Sequence, residues 1–167
     1  MPIKLIFVII YFLINFSNVH ANEKIYFLDI DFILNNSKEG KTIIAKLTDL
    51  NSQNIKELKI FENKLKSQEN EISKIKNIIS EKELNTKIDN LKKEINLYKL
   101  EKNKKVEEFK IFKDNELKIF FEKLSPLIEE FMKKNSIAIV LDKKNIFIAD
   151  SKYDISKDII EFLDQLN

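Results

Sequence analysis

One long helical stretch separates a few strand-like segments, and this order restricts the fold. Residues 41–135 contain neither glycine nor cysteine. They follow KIYFLDID (residues 24–31) and precede IAIVL (137–141) and IFIA (146–149), which are rich in β-branched and apolar side chains. We predict a mainly α fold with a small β body, in which a long antiparallel helical hairpin is inserted between the strands.

The first 21 residues have the pattern of a signal peptide. Residues 5–16 are apolar except for Asn15, and Val19 and Ala21 occupy the −3 and −1 positions of a cleavage site. A membrane-spanning helix needs about 20 apolar residues, so this run is too short to be an anchor. We expect export, with cleavage after Ala21.

The composition argues against the common enzyme classes. Cysteine is absent, and the only histidine, His20, lies in the signal peptide. Thiol nucleophiles, Ser–His triads and the usual zinc sites are therefore excluded from the mature chain. Asp29 and Asp31 fall on one face of the first strand, but no second acid–base group is identifiable. We expect no enzyme activity, no cofactor and no metal.

The charges divide unevenly along the chain. Residues 41–125 contain 20 lysines and 15 acidic residues, a net charge of +5. The rest of the mature chain has 8 lysines and 12 acidic residues, a net charge of −4. Arginine is absent, so any anion has to be bound by lysine as a point charge.

The inserted segment has the periodicity of two packed helices. Apolar residues recur at steps of three and four from Ile44 to Ile79, and Asn51, Asn54 and Gln68 dilute this seam. These amides either loosen the arm or fix its register. Ser80 and Glu83 form a capping-box pattern, which predicts that the chain reverses near Ser80.

The return helix has two irregular places. Its seam passes from Tyr98 to Lys102 and Val106 in two four-residue steps, which resembles a stutter. Ser125 and Pro126 then interrupt the pattern, because proline is disfavoured in a helix interior but fits the first turn behind a serine cap. We predict a hinge here, either a kink or a restart of the helix.

The remaining segments are expected to form the oligomerisation body. This body comprises residues 22–40 and 126–167, and residues 41–125 form the arm. Three short strands and one terminal helix bury too little surface to be stable without disulfides or metals, so we expect several copies to associate through the strands. The predicted oligomer core consists of Ile25, Phe27, Leu28, Ile30, Ile137, Ile139, Leu141 and Phe147.

The ordered combination of segments resembles the Skp/OmpH family of periplasmic chaperones over essentially the whole mature chain. The resemblance rests on the first strand with its acidic end, the connector SKEGK (residues 37–41) and Pro126. It also rests on FIAD (147–150), and on DIS (154–156) before a final helix that ends in Leu166 and Asn167.

This resemblance implies a periplasmic homotrimer whose strands share a barrel-like body. Three arms would enclose a cavity that holds unfolded outer-membrane proteins without ATP, prevents their aggregation and aids their delivery to the outer membrane. An anionic membrane surface is a further candidate partner, and nucleic acid is not. Lipopolysaccharide binding is not carried over, because these arms are only mildly basic. The alternative function is a structural coiled-coil spacer or adaptor that binds a folded envelope partner.

Two clusters in the return helix are candidate client-contacting groups. Lys102, Lys104 and Lys105 either attract acidic clients or form a solvated face balanced by neighbouring glutamates. The phenylalanines either line a cavity or pack the base of the arm on the body. The predicted client-facing residues are Lys102, Lys104, Lys105, Phe109 and Phe112, and the second cluster also includes Phe120 and Phe121.

Overall fold

The computed structural model describes residues 24–165, so the predicted signal peptide and its cleavage site lie outside the described residues. The predicted mainly helical fold with a small sheet is confirmed. Single 3₁₀ turns occur at Lys143–Asn145 and Ser151–Tyr153. The helices and strands, in chain order, are β1 (Lys24–Leu28), α1 (Ile30–Asn36), α2 (Lys38–Ile75), α3 (Glu81–Asn135), β2 (Ile137–Asp142) and α4 (Ser156–Gln165).

The two strands flank the helical insertion and pair in parallel. Ile25 aligns with Ile139 and Phe27 with Leu141. Parallel neighbours need a long crossover connection, and α1, α2 and α3 provide it here. The other edge of β1 is bonded to the segment that precedes α4, because the backbone amide of Ile155 donates to the Phe27 carbonyl at 2.9 Å. β1 is therefore held on both of its edges.

β1 ends three residues earlier than the sequence pattern predicts. Asp29 caps α1, with its carboxylate accepting the backbone amide of Phe32 at 2.9 Å. This hydrogen bond is the main reason that the pKa of Asp29 is lowered. Ile30 and Asp31 are thus helical, and the connector contains a seven-residue helix rather than a single turn. An aspartate after an apolar strand is also a typical helix cap, and this signal was missed.

The sequence pattern also predicts that residues 137–141 and 146–149 form a hairpin of two strands, and this prediction is wrong for the described chain. β2 is present, but a 3₁₀ turn follows it and residues 146–149 form no strand. Phe147 and Ile148 are fully exposed, at 103% and 84%. The apolar character of this segment suggested a buried strand, but a single chain provides no layer against which it can be buried.

The core joins distant parts of the chain at the base of the arm. The most enclosed side chains come from α1, the last turns of α3 and α4, so the C-terminal helix packs where the arm meets the sheet. Ile30, also a predicted oligomer-core residue, is half-buried and packs against this cluster. The buried members are Leu28, Ile33, Ile43, Phe120, Leu124, Ile137, Ile155, Ile159 and Leu163.

A close contact between α1 and α2 explains the only glycine. Gly40 lies in the first turn of α2 with a negative φ, so it does not provide a sharp turn. A Cβ at this position would lie 2.9 Å from Leu34 Cα and closer still to the Leu34 carbonyl. The buried Ser37 completes this junction by donating its amide to Ile33 and accepting from Gly40. Glycine is therefore required by the approach of the two helices.

α3 passes through Pro126 without ending, so the predicted restart of the helix at Ser125 is wrong. Pro126 cannot donate to the carbonyl of Glu122, and it costs helix stability in the interior. Tertiary packing offsets this cost, because Phe120 and Leu124 on one side of the proline are fully buried. The predicted kink at Ser125 and Pro126 stays a prediction.

We predict that Gly40→Ala destabilises the protein by about 1–3 kcal/mol, because the new methyl group overlaps the α1 backbone. Urea unfolding followed by circular dichroism at a fixed protein concentration would measure this change. The exposed Ser52→Ala in the same helix is the control and should stay within about 0.5 kcal/mol of wild type. Equal stability of the two variants would contradict the proposed tight junction.

Candidate functional site

The arm consists of α2 and the N-terminal four fifths of α3, which run antiparallel. Cross-helix ion pairs join Lys46 to Glu116 at 3.1 Å, Lys105 to Glu57 at 2.6 Å and Lys64 to Glu94 at 2.7 Å. Along these three pairs the residue number increases in α2 and decreases in α3, so the two helices are antiparallel. At 1.5 Å per residue, the 38 residues of α2 extend about 57 Å.

A capping box begins the return helix. The Ser80 hydroxyl accepts the Glu83 amide at 3.3 Å, and the Glu83 carboxylate accepts the Ser80 amide at 3.3 Å. The predicted capping box is thus present, and α2 ends a few residues earlier, at Ile75. The capping box thus satisfies two of the backbone donors that a helix start leaves open.

The seam of α3 differs from its predicted path. Lys105, with its side chain only 15% exposed, lies between the helices, whereas Val106 is 60% exposed. Tyr98, Lys105 and Phe112 therefore keep a seven-residue spacing, and the predicted stutter at Val106 is wrong. Lysine occupies this position because Glu57 and Asn54 on α2 accept its ammonium group, at 2.6 and 3.4 Å.

This ion pair shifts the pKa of both partners. The hydrogen bond from Lys105 lowers the pKa of Glu57, and a bond from Gln53 adds to this effect. The same bond to Glu57 raises the pKa of Lys105 against the opposing effect of desolvation. Both groups are therefore held in their charged forms in the folded arm.

A second polar layer lies nearer the tip. Gln68 donates to Glu94 at 3.0 Å, and Lys64 pairs with the same carboxylate. The hydrogen bond from Lys64 is the main cause of the lowered pKa of Glu94. Asn54 and Gln68 thus bond across the seam, as register-setting residues do. Asn51, by contrast, is exposed.

An apolar block separates the two polar layers. Phe61 and Tyr98 meet edge to face across the seam, with ring centroids 5.5 Å apart. Leu65 is the most buried residue of the arm outside its base, with 9% of its surface exposed. The arm therefore alternates apolar and polar layers rather than presenting a continuous apolar seam.

The five predicted client-facing residues fall into two groups. Lys102 and Lys104 are exposed, whereas Lys105, Phe109 and Phe112 are half-buried along the seam. Lys104 is solvated and pairs with Glu108 at 3.9 Å, as the solvated-face interpretation predicts, whereas Lys105 lies in the seam and pairs with Glu57 on α2. Lys102 has no ion pair within residues 24–165. The client-facing role stays a prediction.

The two aromatic residues at the base of the arm, Phe120 and Phe121, differ in burial. Phe120 is buried in the core, which agrees with base packing. Phe121 is exposed on the other side of the helix and touches Phe120 edge to face, at 5.8 Å between centroids. Phe120 therefore anchors the arm, while Phe121 faces solvent.

The predicted oligomer-core residues are divided between two faces of the sheet. Leu28 and Ile137 face the helices and belong to the core cluster. Ile25, Ile139 and Leu141 are each more than two fifths exposed, and with Phe147 they leave an apolar surface on the outside. Phe27, between Ile25 and Leu28, is buried. We call Ile25, Ile139, Leu141 and Phe147 the outer sheet face.

Within residues 24–165, no helix is both long enough and apolar enough to cross a membrane. The same part of the chain contains no group of three or more acidic or histidine side chains that could hold a metal ion. Asp29 and Asp31 are instead engaged by lysines, Asp29 with Lys143 at 3.4 Å and Asp31 with Lys144 at 2.8 Å.

The fold places this chain among proteins that consist of two parts, a body that contains a small sheet and a long antiparallel helical arm that extends from it. Within this class, the chain belongs to the outer membrane protein (OmpH-like) family, whose model matches residues 24–163. No curated protein sequence matches the chain.

A solved structure has the same fold. A protein of Caulobacter crescentus, described as an outer membrane chaperone (OmpH-like), superposes with a TM-score of 0.78. The match covers 91% of each chain at 18% sequence identity, so the likeness concerns the fold.

We predict that the stabilising effect of Glu57 depends on pH. A lowered pKa means that its contribution is present above the ordinary glutamate value and is lost as the pH falls through the lowered folded value. Glu57→Gln should therefore melt below wild type at about pH 7 and approach wild type at about pH 3.

Thermal unfolding at several pH values would test this prediction. Glu69→Gln is the control, because Glu69 is exposed on α2 and has no ion pair among the described residues. It should melt near wild type throughout. A difference between wild type and Glu57→Gln that stays constant with pH would contradict a role of the carboxylate charge.

Proposed function

We propose that this chain is an ATP-independent periplasmic holdase chaperone for unfolded outer-membrane proteins. In this proposal residues 1–21 direct export, residues 22–40 and 126–167 form the body, and residues 41–125 form the arm. Three copies assemble through their bodies, and their arms surround a cavity. The clients are kept from aggregating until they reach the outer membrane.

The observation that carries this proposal is the number of large apolar side chains left exposed along the arm. A helical pair that serves only as a structural spacer needs an apolar seam and a polar exterior. Here apolar residues also lie on the outside of the helices among charged residues, either singly or, for Leu97 and Leu100, as a pair one turn apart. These exposed side chains are Ile55, Ile60, Leu97, Leu100, Val106 and Ile111, each more than half exposed.

Separate weak contacts suit a client without fixed structure. Each exposed side chain can bury only a little surface, so no single contact holds the chain in place. Many contacts within one enclosure raise the effective concentration and give useful total affinity. The family membership and the absence of a glycine-rich phosphate loop in the sequence agree with binding that does not use nucleotide.

The outer sheet face supports assembly of several copies. Ile139 and Leu141 alternate along β2 and point away from the core, and Phe147 stands clear of the chain. Exposed apolar surface next to an unpaired strand edge favours association. A second copy of this chain carries the same apolar surface and can therefore cover the outer sheet face. A small body without disulfides needs such a partner to bury enough surface.

We predict that mature protein scatters light as a trimer and that Leu141→Asp with Phe147→Asp produces monomers. A buried carboxylate without a partner would oppose association. The control is Ile55→Asp with Ile60→Asp, which places the same two charges on exposed residues of the arm and should remain trimeric. A monomeric wild type, or a trimeric double variant, would overturn the proposed interface.

We predict that wild-type protein keeps a urea-diluted outer-membrane barrel soluble without nucleotide. Leu97→Gln, Leu100→Gln and Ile111→Gln together should weaken this protection, because they remove exposed apolar contacts while keeping good helix formers. Turbidity after dilution would be the measurement, alongside the trimer mass.

The matched control replaces Asn96, Asn103 and Asn115, all exposed on α3, with glutamine. This triple variant should protect as well as wild type does. Failure of wild type to protect would overturn the proposed function. Equal protection by both triple variants would show that the exposed apolar residues are not the contacts.

A further inference from the structure

One face of α3 presents four lysines that have no ion pair within residues 24–165. Lys99, Lys102, Lys110 and Lys113 are all exposed. The other lysines in this stretch, Lys104 and Lys105, are engaged by glutamates. Lysines of this segment that are paired and lysines that are unpaired therefore lie on different sides of the helix.

The four lysines form a single line along the helix. With Val106 they are spaced by three, four, four and three residues, so they lie on one face over about four turns. The line is about 21 Å long at 1.5 Å per residue. Val106 at its centre is exposed. We call Lys99, Lys102, Val106, Lys110 and Lys113 the basic stripe.

The stripe is only partly balanced by its own helix. Like charges three or four residues apart destabilise a helix, and Lys99 with Lys102 and Lys110 with Lys113 are such pairs. Glu107 and Asp114 lie three and four residues from Lys110, whereas Lys99 and Lys102 have no acidic residue at these spacings. Glu116 follows Lys113 by three residues but bonds to Lys46 on α2 instead. None of the four ammonium groups forms an ion pair within residues 24–165, so the stripe is open to an external anion.

The spacing fits an extended polypeptide. Lys102, Val106 and Lys110 are about 6 Å apart along the axis, at four residues per step. Side chains on one face of an extended strand are about 6.6 Å apart. A segment with an acidic residue, an apolar residue and a second acidic residue at alternate positions would therefore place a carboxylate at each lysine and its apolar side chain at Val106.

We propose that the basic stripe is a docking line for acidic, extended segments of the client, read as acidic, apolar, acidic at alternate positions. This inference rests on the proposed holdase function and specifies which client segments the arm prefers. A flat anionic membrane fits less well, because Glu107 and Asp114 border the stripe on the same helix and would approach the same surface.

The test uses the full mature protein and labelled peptides. The probe contains several copies of Asp-Ser-Val-Ser-Asp joined by Gly-Ser. A second peptide carries Asn in place of Asp, and a third keeps the composition but groups the two Asp together. Fluorescence anisotropy at low salt measures binding, since exposed charges are screened within about 10 Å at 0.1 M salt.

Two variants with equal net charge separate position from total charge. The stripe variant carries Lys99→Gln, Lys102→Gln, Lys110→Gln and Lys113→Gln. The matched control changes four other exposed lysines without ion pairs among the described residues, namely Lys56, Lys74, Lys82 and Lys93, to glutamine.

The stripe variant should bind the alternating Asp peptide about tenfold more weakly than wild type, the size that four exposed ion pairs together provide. The control should change by less than about threefold, and the Asn peptide should bind weakly to all three proteins. Equal losses in both variants, no loss in the stripe variant, or equal binding of the grouped Asp peptide would overturn the inference.

Two further readings complete the test. Phosphatidylglycerol vesicles are the membrane probe, and loss of vesicle binding with unchanged peptide binding would assign the stripe to lipid and overturn the inference. Protection of a urea-diluted barrel by wild type is measured in parallel. If wild type does not protect the barrel but still binds the peptide through the stripe, the proposed holdase function is overturned and the proposed docking line is supported.

Discussion

The parallel pairing of β1 with β2 is the constraint on which the rest of the protein depends. It joins segments that the whole arm separates, and the entropic cost of closing a loop rises with its length. The antiparallel packing of α2 on α3 reduces that cost, because a zipped helical pair brings its two ends together before the strands meet. Arm and body therefore support one another, and the core contains residues from both.

The seam of the arm combines stability with incomplete apolar packing. Lys105 and Gln68 replace apolar residues at two levels, and each donates a hydrogen bond to a glutamate on the other helix. Such layers define register because a slipped pairing would leave a charge or an amide without its partner. They also leave the apolar side chains Leu97, Leu100 and Ile111 outside the seam rather than within it.

The sequence predicts the helical hairpin and the capping box at Ser80 well, because both depend on local periodicity and capping chemistry. The sequence does not predict features that depend on which residues the fold brings together. Val106 is more apolar than Lys105, yet Lys105 lies in the seam because Glu57 is opposite it. IFIA at residues 146–149 has strand composition, but pairing needs an adjacent edge that composition does not reveal.

The basic stripe illustrates the same limit at the candidate site. Six lysines lie between residues 99 and 113, and the sequence alone does not separate those that are paired within the fold from those that are free. Pro126 is a further example, since local rules predict either a kink or a restart of the helix, while the burial of Phe120 and Leu124 on the same helix keeps α3 continuous.

The continuity of α3 has a mechanical consequence. Leu124 lies in the core and Glu81 at the far end of the same helix, about 65 Å away at 1.5 Å per residue. A rotation of only 5° about the packed base would move the distant end by about 6 Å, several times the shift at the core. The helix therefore acts as a lever, because a small adjustment among the buried side chains at its base is enlarged at the far end of the arm.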